Sequence, residues 1–156
     1  MANPQIHNVN VADQRVLISP AALRDMIEVP EAIYEFVSAS RKTIEQIINR
    51  QDHRLMVVVG PCSIHDVDAA LDYASRLKAL SVRVAENLYL VMRVYFEKPR
   101  TTLGWKGLIN DPNLDGSFEI ENGLTIGRTL LRDMLALELP TATEALDPIT
   151  PQYLHD

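Results

Sequence analysis

One cysteine, Cys62, is all the chain has, so no internal disulfide can form, which fits a reducing compartment. Basic residues are also in deficit. Fifteen Lys and Arg face 21 Asp and Glu, a formal charge of −6, and this argues against general binding to nucleic acid or to an anionic membrane surface. No apolar stretch approaches the length of a membrane span. The start, Met-Ala-Asn-Pro-Gln-Ile-His-Asn, has neither the basic nor the apolar region of a secretory signal. No exact repeat and no low-complexity tract interrupts the 156 residues. A soluble, cytoplasmic chain without nucleic-acid or membrane partners is the expectation, and 47% hydrophobic content is enough for a sizeable core.

Within those bounds the chain alternates. Leu55–Val59 is an apolar, β-branched run of the kind that forms a strand buried on both faces. Gly60-Pro61 ends it, and Asp66 stands where a helix cap belongs, because Val67, Ala70, Leu71, Ala74, Leu77 and Val84 recur at helical spacing. A second strand is predicted near 88–94, a helix near 117–138 and a third strand near 140–144. Repeated β-then-α units imply parallel strands with right-handed crossovers, an α/β fold. Ahead of them, Val9, Val11 and Val16–Ile18 offer a short strand, and Pro20 a helical turn. Pro30 precedes an amphipathic helix with Ile33, Phe36, Val37, Ile44, Ile47 and Ile48 on one face. Residues 1–50 therefore read as an extension, and 51–156 as the βα units. Near the end, Thr150-Pro151 has the form of a cap followed by proline in the first helical turn. Three parallel strands leave both sheet edges open, and a closed eight-stranded βα barrel takes about 250 residues. The expected architecture is the opening portion of something larger.

Chemistry concentrates in two loops. Gly60-Pro-Cys-Ser-Ile-His-Asp66 follows the first strand, which puts Cys62 on the edge where α/β folds bind ligands. Cys-x-x-His alone is too short to specify a structural zinc, which takes a fuller ligand set. After the second strand comes Arg93-Val-Tyr-Phe-Glu-Lys-Pro-Arg-Thr-Thr-Leu-Gly-Trp-Lys-Gly107. Arg93, Lys98, Arg100 and Lys106 stand against Glu97 alone, a local excess of positive charge in an acidic protein. Guanidinium and ammonium groups on such a rim suit phosphate and carboxylate, with Thr101 or Thr102 adding a hydroxyl. The connection of about twenty residues is long for a βα loop, as binding loops are.

These motifs, together with Gly104-Trp-Lys-Gly-Leu-Ile-Asn-Asp-Pro112, closely resemble the type I 3-deoxy-D-arabino-heptulosonate-7-phosphate (DAHP) synthases from about residue 8 to the end. The resemblance implies the N-terminal extension and first units of a truncated (β/α)8 barrel. It implies condensation of phosphoenolpyruvate with erythrose 4-phosphate, releasing phosphate, as the first step of aromatic amino-acid synthesis. Dimers or tetramers are implied too, as is one divalent metal ion of the manganese, iron, cobalt or zinc class. By motif position Cys62 matches a metal ligand, while the family's histidine, glutamate and aspartate ligands fall beyond residue 156. Arg93 and Lys98 match groups that hold phosphoenolpyruvate, with Lys98 also a proton donor. Arg100 and Thr101 match the clamp on the sugar phosphate, and Lys106 lies in a matching segment. Glu144 matches an acidic group near the enolpyruvate and its attacking water, and His65 matches no ligand, which leaves it a structural role. Asn8, Pro148 and, in the same stretch, Gln152 look most like the tyrosine-inhibited type, which implies tyrosine as feedback effector. The isolated chain is expected to be inactive, and the alternative is a non-catalytic remnant that associates with intact synthase subunits.

Overall fold

The β-branched run and the apolar run that follows it lie side by side, joined by a helix that carries the chain back across the sheet. The computed structural model describes residue 9 and residues 14–99 and 103–155. Among these the elements run α1 (Pro20–Met26), α2 (Glu31–Ile48), β1 (Leu55–Val59), α3 (Val67–Val84), β2 (Leu88–Arg93), α4 (Ile120–Ala136), β3 (Thr141–Ala142) and α5 (Pro151–Leu154). The sheet order is β1-β2-β3, and both pairings are parallel. This is the alternating α/β pattern read from the sequence. The third strand is shorter than expected, and α4 starts three residues later.

β2 is the centre of the sheet and of the core. Leu90 and Met92, with Val94 just after the strand, are at most 5% exposed and share one core with Ala70, Ala74 and Leu77 of α3 and Leu130 and Met134 of α4. Asp66 caps α3 as expected, its Oδ1 accepting the Ala69 N–H at 2.9 Å. Leu23 and Ile27, in and just after α1, join the same core, and α2 rests on α4 and β1.

Three expectations need correction. β1 is not buried on both faces: Leu55 and Val58 are 65% and 47% exposed. It is also an edge strand, with no pairing strand on its outer side among the described residues. No strand forms over residues 14–19, where Val16 is 98% exposed. Instead of a ladder, that segment is tied by single bonds, Ile18 N–H to Glu121 Oε2 at 3.3 Å and Tyr153 O–H to Ile18 O at 2.8 Å. Thr150 does not cap α5 with its side chain. Its hydroxyl instead donates to Asp147 at 2.7 Å, while Asp147 accepts the Ile149 and Thr150 N–H groups at 2.6 and 2.9 Å in the turn that leads into the helix.

At the entry to β1, Asp52 accepts Arg54 Nε at 3.1 Å, Arg54 Nη2 at 2.6 Å and the Arg54 N–H at 2.9 Å. The guanidinium also lies over Tyr89, 5.1 Å from the ring centre. These bonds to Arg54 lower the Asp52 pKa from 3.8 to about 2. A depressed folded-state pKa gives stability that is fully present above the unfolded value and is lost as pH falls through the folded one. Urea midpoints should therefore drop more steeply between about pH 4 and pH 2 in the unsubstituted chain than in Asp52→Asn. Parallel profiles would show that this pair does not set the acid limb.

Candidate functional site

Parallel strands send their C-terminal ends to one side, so the residues leaving them meet at a single rim. Val59 pairs with Met92, and Arg93 with Ala142, which brings Gly60–Cys62, the end of β2 and the start of the β3–α5 loop together. Gly60 allows the closest approach there, since a Cβ on it would lie 2.6 Å from Arg93 O. Arg93 then turns back over the loop, Nε donating to Pro61 O at 2.9 Å and Nη2 to Gly60 O at 2.7 Å. Its guanidinium also lies 5.5 Å from the Tyr95 ring centre. A guanidinium has further N–H donors, so Arg93 can fix the loop and still offer hydrogen bonds to an oxyanion.

The basic stretch folds on itself. Glu97 forms an antiparallel bridge with Gly107, and the Lys98 N–H donates to Lys106 O at 3.0 Å. The two lysines thus sit on facing arms of a small hairpin. Lys98 reaches across to β1's loop, its Nζ donating to Cys62 O at 2.6 Å and lying 3.3 Å from the exposed Cys62 Sγ. Glu97, Lys98, Pro99, Lys106, Asn110, Phe118 and Leu146 line a cavity of about 600 Å³ at this rim. That volume lies within the usual span of small-molecule sites, roughly 300–1,000 Å³. Burial raises the pKa of Glu97, and the nearby charges of Asp147 and Glu144 add to it, against the hydrogen bond from Asn110 Nδ2 at 3.2 Å.

Cys62, Arg93, Lys98 and Lys106 are therefore brought together. Glu144 is not: it lines a separate groove of about 510 Å³ between α2 and α4, its Oε1 buried without a hydrogen-bond partner. It still lies near enough to Glu97 to act on its charge. Pro148, ahead of α5, and Gln152, within it, are exposed, with Gln152 Nε2 donating to Pro148 O at 2.8 Å and Arg24 Nη1 to Gln152 O at 3.2 Å. His65 is exposed. Asn8, Arg100 and Thr101 lie outside the described residues. No group of three or more His, Cys, Asp or Glu among the described residues is arranged to hold a metal ion. Cys62 alone does not make the metal centre that the resemblance implies.

Two residues of the rim escaped the sequence reading. Glu97 counted there only as the negative charge in a basic run. The mirrored Glu-Lys and Lys-Gly ends of that run are the hairpin signal that would have paired it with Gly107. Phe118 carries no pattern signal, being a single aromatic after a turn.

The fold and rim together are those of an α/β protein whose parallel strand ends carry basic side chains beside a thiol. Residues 26–156 match the DAHP synthetase I family, and the chain belongs to that family. It is 54% identical, over all of its length, to the Tyr-sensitive phospho-2-dehydro-3-deoxyheptonate aldolase of Escherichia coli K12, and spans 44% of that relative's length. It is 56% identical over 90% of its length to phospho-2-dehydro-3-deoxyheptonate aldolase from Amycolatopsis methanolica, covering 69% of it. The solved phospho-2-dehydro-3-deoxyheptonate aldolase of Francisella tularensis SCHU S4 superposes with a TM-score of 0.88 at 51% identity, over 92% of this chain and 42% of that one.

Proposed function

We propose that the chain is the phosphoenolpyruvate-binding part of a 3-deoxy-7-phosphoheptulonate synthase and forms the first βα units of a (β/α)8 barrel after an N-terminal extension. The whole enzyme joins phosphoenolpyruvate, D-erythrose 4-phosphate and water to give DAHP and inorganic phosphate. The observation that carries this is the meeting of Arg93, Lys98 and Lys106 beside Cys62 on one strand-end rim. Arg93 offers its remaining N–H donors to an oxyanion of phosphoenolpyruvate. Lys98 adds a point charge, and its ammonium can pass a proton to the alkoxide that forms at the sugar aldehyde. Arg100 and Thr101 hold the sugar phosphate. Glu144 acts from the β3–α5 loop near the carbon that takes water. A divalent ion would find one soft donor in Cys62 and would draw its other donors from outside the described residues. Asn8, Pro148 and Gln152 belong to the feedback region, with tyrosine as effector, in a cytoplasmic dimer or tetramer.

Calorimetric titration of the 156-residue chain with phosphoenolpyruvate should show binding that Lys98→Ala weakens about a hundredfold. Mixing both substrates with it should release no phosphate. Absence of phosphoenolpyruvate binding would sink the reading of the rim. Chelator-sensitive phosphate release would instead show that the chain holds a working metal centre.

A second reading, a non-catalytic piece that pairs with intact synthase subunits, is favoured by two sheet edges that are unpaired among the described residues and by the exposed Leu55 and Val58. Co-purification with a full-length synthase would support it.

A further inference from the structure

Phe118 is an exposed aromatic residue held where aromatic residues are rarely found. Its φ of 53° lies in the left-handed region, where a bulky side chain crowds the backbone. It is 56% exposed, so burial of the ring does not offset that cost. The turn in front of it imposes the geometry. Asp111, 6% exposed, accepts the Gly116 N–H with Oδ1 and Oδ2 at 3.1 and 3.2 Å. Trp105 Nε1 donates to Asp111 O at 2.7 Å, and Asp115 Oδ1 accepts the Ser117 N–H at 2.9 Å. The Ile120 N–H then donates to Phe118 O at 2.8 Å, which anchors the residue on its other side.

The ring is delivered to the rim cavity, where it lines the wall with Lys98 and Lys106. Leu146, 43% exposed, lines the same cavity from the β3–α5 loop. Two exposed apolar residues from separate loops thus line the cavity with two lysines and, opposite in charge to them, Glu97. Such a mixture fits a ligand with charged ends and a carbon body better than it fits a bare anion. Strain maintained at a cavity wall by a fixed turn is of the kind that pre-organises binding.

We propose that Phe118, with Leu146, is a specificity-determining wall that packs on the carbon skeleton of a small phosphorylated substrate while Lys98 and Lys106 hold its charges. This rests on the reading of the rim as a phosphoenolpyruvate site. The wall favours a phosphorylated carbon acid over inorganic phosphate, because only the former presents apolar atoms to the ring.

The test is calorimetric titration of the unsubstituted chain, Phe118→Gly and Phe118→Leu, each with phosphoenolpyruvate and with inorganic phosphate, alongside their thermal midpoints. Phe118→Gly should weaken phosphoenolpyruvate binding about fivefold, the scale of one lost apolar contact, and leave phosphate within about twofold. Its midpoint should hold or rise, because glycine accepts the backbone angle without strain. Phe118→Leu keeps an apolar wall and should stay within about twofold for both ligands. Unchanged phosphoenolpyruvate affinity in Phe118→Gly would overturn the proposal. So would equal weakening of both ligands, and so would a fallen midpoint, each of which marks a structural role. If the unsubstituted chain bound phosphate but not phosphoenolpyruvate, the wall would be wrong while the anion site stood. If it bound neither, the rim reading would fail and the wall with it.

Discussion

Gly107→Ala is expected to cost at least about 3 kcal/mol of stability and to take the rim hairpin apart. Gly107 has φ 105°, a conformation that L residues rarely adopt. A Cβ there would lie 2.2 Å from Phe96 O and 2.5 Å from Glu97 Cα. Both are backbone atoms, and Phe96 is 1% exposed in the core, so the opposing arm cannot give way without disturbing packed side chains. Gly116 provides the control. Its φ is 75°, but nothing lies within 4 Å of an added Cβ, so Gly116→Ala should cost only the backbone term, about 1 kcal/mol. Urea unfolding of both variants measures the difference. If their costs match, the close approach of the two arms contributes nothing. Loss of the hairpin should also free Lys98 from Cys62, because Lys98 is held in line by its backbone bond to Lys106.

Most of the frame was legible because periodicity reports burial. The central strand and the helices on either side of it alternate in the chain as they do in space, and Asp66 sits at its cap because the helical spacing begins right after it. What failed was whatever depends on a neighbour. Leu55–Val59 has the composition of a doubly covered strand, yet its exposure is set by what lies beside it, which composition does not encode. Thr150 does stand at the cap position of α5, but its hydroxyl is drawn back to Asp147 of the preceding turn, a contact that helical spacing does not encode. The rim was half legible. Cys62, Arg93, Lys98 and Lys106 were picked out by charge and position, and they do meet. Glu144 lines the α2–α4 groove, close enough to the rim to act on the charge of Glu97. Glu97 and Phe118 entered through a hairpin bridge and a left-handed backbone angle, neither of which has a periodic signature.

Arg93→Ala should lose binding and stability together, and this sets it apart from the other basic residues of the rim. Nε and Nη2 bond two carbonyls of the Gly60–Pro61 turn, so removing them leaves Gly60 O and Pro61 O without those donors at a half-buried position. Charge-assisted bonds of this kind are worth about 1.5–3 kcal/mol each, so with partial solvent access a total near 2–4 kcal/mol is expected. The same substitution removes the fork proposed to hold phosphoenolpyruvate, and affinity should fall about a hundredfold. Lys98→Ala should match that loss of affinity with a smaller loss of stability. Its ammonium is on the exposed side of the loop and makes its contacts to Cys62 at the surface. Arg93→Lys is the discriminating variant. It keeps the charge, but a single ammonium cannot span both turn carbonyls and a ligand oxyanion, so it should recover less than half of the lost binding free energy. Calorimetric titration with phosphoenolpyruvate and urea unfolding of the three variants give the comparison. An Arg93→Ala protein that binds within about threefold of the unsubstituted chain would reduce Arg93 to a brace for the turn. Full recovery in Arg93→Lys would mean that the rim reads charge alone and not the planar fork.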